Sequence, residues 1–157
     1  MSGEPMSAGR IEATPGPVTA VQALQALQAA LAAEDAAVFG YGVAGAHLSG
    51  SRKSAAEQDW TGHNQARDTL TTMISALGAA PVAAQAFYRL PFSVHDAASA
   101  AKLAADLEDG VTRAYLGLVA VSDRRLRTFG ALAMQASAER AAFWRGTTEA
   151  FPGLASS

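Results

Sequence analysis

Between Leu27 and Leu48 the chain reads "LQAALAAEDAAVFGYGVAGAHL", an apolar run with two adjacent carboxylates, Glu34 and Asp35, at its centre. Around them Leu24, Leu27, Leu31, Val38, Tyr41, Gly45 and Leu48 recur at alternating steps of three and four. That is the spacing of one face of an α-helix laid on a core. Glu34 falls on the same line and Asp35 on its flank. An ionised carboxylate on a core line needs a partner, because taking it out of water alone is strongly disfavoured. The residues that meet Glu34 must come from other helices.

Composition agrees with an all-α chain. Alanine, the best helix former, supplies 38 of 157 residues, and strand-favouring Ile, Val, Thr and aromatic residues are sparse and rarely alternate. One compact domain fits this length. The formal net charge of −2 offers no basic field for nucleic acid or anionic lipid, so neither partner is expected. The lack of cysteine excludes disulfides, thiol catalysis and thiolate zinc sites, and it fits a cytoplasmic protein. No run is apolar enough to span a bilayer. Residues 1–19 read as a flexible leader and 151–157 as a flexible tail, leaving 20–150 as the domain.

Capping and breaking residues divide that domain into four helices. Thr19 can cap a helix over about 20–48, and "SGSRKS" ends it. A second helix is expected over about 55–77, stopped by Gly78. Asp96 can cap a third over about 97–120, and "VSD" separates it from a fourth over about 123–147. The joints between helices one and two, and three and four, are short and imply antiparallel neighbours. Residues 78–96 form a 19-residue link, long enough when extended to span roughly 60 Å. The spacing therefore predicts an antiparallel four-helix bundle in which one long crossover makes helices two and three parallel, the ferritin-like arrangement.

Ionisable residues fall on or near each apolar line. Helix two offers Ala56, Trp60, His63, Arg67, Leu70, Ile74 and Leu77; helix three Ala101, Ala104, Glu108, Val111, Tyr115 and Leu118. In helix four Phe129, Leu132, Ala136, Glu139 and Phe143 share a face. In that topology Glu34, His63, Glu108 and Glu139 reach similar heights near the middle of the bundle. Two outcomes are chemically sensible. The carboxylates and the imidazole could ligate iron or manganese. Alternatively Arg67, with Arg113 or Arg140 if they turn inward, could pair with the acids.

The combination of "AAEDAAVFGYGVAGAHL", "HNQARDTL", "GAAPVAAQAFYRLPFSVHDAASAAKLAADLEDGVTRAYLGLV" and "ASAERAAFWR" resembles a bacterial ferritin-like family of unknown function, over roughly residues 20–152. The resemblance implies the ferritin-like bundle and brings no activity with it. A di-iron bundle of that type needs a Glu on helices one and three and Glu-x-x-His on helices two and four. Here Trp60 stands where the helix-two Glu would be, and Ala142 where the helix-four His would be. Two of six ligands are missing, so a complete dinuclear centre is not expected.

The reading that follows is a non-enzymatic bundle of unassigned function with a degenerate metal site at Glu34, His63, Glu108 and Glu139, Arg67 being the polar core partner. Its alternatives are an iron- or manganese-dependent oxidase or iron-handling protein, with Tyr41 or Tyr115 redox-active, and a binding module in which the crossover "FYRLPF" and a central cavity lined by Trp60 and Tyr115 hold a small apolar ligand or a partner peptide. Alanine- and glycine-rich faces further suggest a homodimer.

Overall fold

The structure is a computed structural model that describes residues 17–146. It contains α1 (Pro17–Ala46), α2 (Gly50–Ala76), α3 (Ala97–Val119) and α4 (Arg124–Arg145), with no strand among the described residues. Most of the expected leader and the whole expected tail lie outside those residues.

Helix ends follow local chemistry. Proline is pre-set for the first helical position, and α1 starts at Pro17, three residues before the expected boundary. The joint to α2 is shorter than "SGSRKS" suggests, since Ser49 is the N-cap and Gly50 already begins the helix. Asp96 and Ser99 form a reciprocal capping box at α3, and Asp123 accepts from the Arg125 and Leu126 amides at α4. Gly146, at φ 72°, closes α4 in the left-handed conformation that favours glycine.

Cross-helix contacts give the directions. Tyr41 of α1 meets Asp59 of α2 and Glu108 of α3, while Glu34 meets His63 and Tyr115. Rising along α1 therefore means descending along both partners, so α2 and α3 point the same way. Glu108 meets Arg140, and Tyr115 meets Phe129, which turns α4 back against α3. The segment 77–96 runs beside α1. The Gln28 side chain donates to Ala80 O at 2.7 Å and accepts from Val82 N at 2.7 Å, and farther along α1 Phe39 packs on Phe87 and Tyr88. No helical turn forms at Val82–Tyr88.

The core is built from Leu27, Leu31, Leu70, Ile74, Leu103 and Leu118, each 2% exposed or less, with Ala filling between them. Each such large side chain contributes about 1.5–3 kcal/mol through burial. The expected lines of α1 and α3 largely hold. That of α4 does not. Leu132 is 63% and Phe143 53% exposed, and Gly130, Ser137, Ala141 and Trp144 face inward instead. Small residues win here because α4 lies very close to α3: a Cβ at Gly130 would stand 2.8 Å from Leu118 Cβ. Expectations for α2 also change, since Trp60 and Leu77 are exposed at 44% and 58%.

Candidate functional site

All four helices contribute to one buried polar network. His63 lies at its centre, with Nδ1 2.6 Å from Glu34 Oε2 and Nε2 2.9 Å from Glu108 Oε1. Glu34 Oε1 accepts from the Tyr115 hydroxyl at 2.8 Å. Glu108 Oε1 accepts from the Tyr41 hydroxyl at 2.6 Å and from Arg140 Nε at 2.8 Å. Arg140 also donates to Ser137 Oγ at 3.2 Å, which explains a buried serine on the inner face of α4. Beyond Tyr41, Asp59 accepts from the Trp144 indole at 2.9 Å.

Helical spacing makes the network possible. Glu34 and Tyr41 are seven residues apart on α1, as are Glu108 and Tyr115 on α3, so each pair shares one face two turns apart. Because α1 and α3 are antiparallel, each tyrosine meets the other helix's glutamate. His63 on α2 then bridges both carboxylates.

The electrostatics favour an ionised set. Burial by itself lowers the His63 pKa, but hydrogen bonds to Glu108 and Glu34, and their charges, outweigh it and raise the value to about 9. His63 is therefore an imidazolium at neutral pH and donates through both ring nitrogens. Burial pushes Glu108 upward, yet the His63 and Arg140 cations hold it below its ordinary value. Burial and the neighbouring Glu108 charge raise Tyr41, and burial and Glu34 raise Tyr115, so both stay protonated donors. Two carboxylates and two cations balance at the centre of the bundle. One atom stands apart: Glu108 Oε2 is buried without a hydrogen-bond partner.

Of the residues expected at a site, Glu34, His63 and Glu108 converge. Glu139 does not, for it is exposed and accepts from Gln135 one turn away. It belongs to the outer face of α4 that turned away from the core. Arg67 is not the core partner either; it pairs with Asp68 and its charge favours the ionised form of Asp35. Arg140 takes that role, with α4 rotated to bring it inward. Asp35, expected on a flank, is only 7% exposed, and burial raises its pKa. Asp59 and Ser137 gave no signal in the sequence, since neither lies on an apolar line read there.

The donor set does not suit a metal ion. A ligating histidine must be neutral, with a lone pair on the metal side. Both His63 nitrogens instead face carboxylates that hold it protonated, and the Arg140 cation is bonded to Glu108. Among the described residues no group of three or more His, Asp or Glu side chains is arranged to hold a metal. Nor do Trp60 and Tyr115 share a cavity, since Tyr115 is fully buried and Trp60 lies at the surface. An open depression of about 380 Å³ sits elsewhere on α2, lined by Ser54, Glu57, Gln58 and Thr61.

Fold and network together define an all-α four-helix bundle organised around a buried, charge-balanced polar core. The chain belongs to the family described as Domain of unknown function (DUF4439), whose model matches residues 26–156. It is similar to the crystal structure of a conserved hypothetical protein, rv2844, from Mycobacterium tuberculosis, at 30% identity and a TM-score of 0.77. That match covers 84% of this chain and 98% of the other. No curated protein matches. Among the described residues no helix is long and apolar enough to cross a membrane.

Proposed function

We propose that this protein is a non-enzymatic bundle of ferritin-like type in which the chain's own cations occupy the place of a metal centre. The supporting observation is the engagement of both His63 ring nitrogens by Glu34 and Glu108, with Arg140 as the second cation. In a carboxylate metal bundle a divalent ion neutralises the inward acids and orients the imidazole. Here His63 and Arg140 neutralise them, and Tyr41 and Tyr115 occupy further acceptor positions. Such a core is charge-balanced by its own side chains, and its role is to fix how four helices dock. The parallel course of α2 and α3, and the segment 77–96 beside α1, support the ferritin-like assignment. The cysteine-free composition suits the cytoplasm.

The test is metal content and affinity. The purified chain, challenged with ferrous iron and with manganese, is expected to show no site tighter than a Glu34→Ala variant does, by calorimetry and elemental analysis. Stoichiometric binding by the parent chain that disappears in Glu34→Ala overturns the proposal in favour of an iron- or manganese-handling protein.

A further inference from the structure

We infer that the outer face of α4 is the contact surface of a homodimer, formed by α4 pairing antiparallel with the same helix of a second copy. Leu132 is 63% exposed at the middle of this face. Seven residues before it stands Arg125 and seven after it Glu139, both exposed and on the same side of the helix. Thr128 and Ala136, four residues to either side, are small.

This arrangement is complementary to itself when reversed. A two-fold axis through Leu132 sets Leu132 against its equivalent and Arg125 of each copy against Glu139 of the other. Thr128 then faces Ala136, where small side chains permit the 8–10 Å axial separation of packed helices. A parallel pairing instead places arginine beside arginine and glutamate beside glutamate, so the charges select the antiparallel register. Among the described residues Glu139 has only the Gln135 amide as its hydrogen-bond partner, and the exposed Leu132 gains by burial. The contact is isologous, as closed dimers require. It involves none of the buried network and stands or falls separately from the absence of a metal.

Sedimentation equilibrium and light scattering on the full chain are expected to give twice the 16.1 kDa chain mass. Leu132→Glu abolishes the dimer. Arg125→Glu and Glu139→Arg each raise its dissociation constant about tenfold, by replacing two attractions with two repulsions, and the double variant restores it. The chain has no cysteine, so Leu132→Cys gives a clean readout. Under oxidation it forms a 132–132 disulfide across the axis, and exposed Leu77→Cys does not. All these positions are exposed, and circular dichroism checks that each variant keeps its helices. A monomer at every concentration overturns the inference. So does a dimer that survives Leu132→Glu, or one in which charge exchange fails to restore what the single reversals remove.

Discussion

His63 carries a proton at neutral pH because two carboxylates face its ring from opposite sides. Its pKa stands at about 9 in the folded chain against an ordinary 6.5. The raised value means that the folded state binds this proton more tightly than the unfolded state. Its stabilisation is fully present below about pH 6.5 and fades as pH rises through about 9. Glu108 shifts downward, so its contribution is present above the ordinary carboxylate range and is lost in acid. Urea unfolding is expected to show a loss of about 2–3 kcal/mol between pH 7 and pH 10. Constant stability across that interval would contradict a protonated His63. The inward position of Glu34, His63 and Glu108 was readable, because each interrupts an otherwise apolar helical line. Their partner was not. Arg67 and Arg140 are equally plausible by charge, and the rotation of α4 decides between them.

At the scale of one helix, α4 shows how apolar size can mislead. Leu132 and Phe143 mark the most hydrophobic stripe, yet Gly130, Ser137 and Ala141 form the packed one. Large side chains on the α3 side would hold the helices apart and keep Arg140 from Glu108. Close approach makes the glycines unequal. Gly130→Ala should destabilise by about 1–3 kcal/mol, since its methyl would meet Leu118 Cβ at 2.8 Å with the Tyr115 carbonyl oxygen at 3.3 Å. Gly42→Ala, on α1 with nothing within 4 Å, should stabilise by about 0.5–1 kcal/mol through helix propensity alone. Thermal denaturation of the two variants must therefore move in opposite directions. Helices α1 and α3 were legible because their large apolar residues do face the core. In α2 the same rule placed Trp60 and Leu77 inside, although α2 packs on α1 and scarcely on the others.

Across the whole molecule, the charges divide as the chain does. The hairpin of α1 and α2 holds Glu34 with His63, and the hairpin of α3 and α4 holds Glu108 with Arg140. Each half contributes one such ion pair, and the contacts of His63 and Tyr41 with Glu108, of Tyr115 with Glu34 and of Trp144 with Asp59 join them. Element count and the long link were visible from caps and breakers; this partition was not, because it depends on which face of α4 turns inward. It also makes the molecule divisible. Residues 83–86 are exposed between the Gln28 anchor and the Phe39 aromatic cluster, so a nick there cuts no hydrogen bond of the core. Chains 1–83 and 84–157, produced separately and mixed, should reconstitute the bundle, read as recovered helicity and joint elution. Failure to associate would mean that the link does more than tether. The design is that of a two-part lock: each piece brings a matched acid and cation to the core, and the imidazolium is the charged key between them.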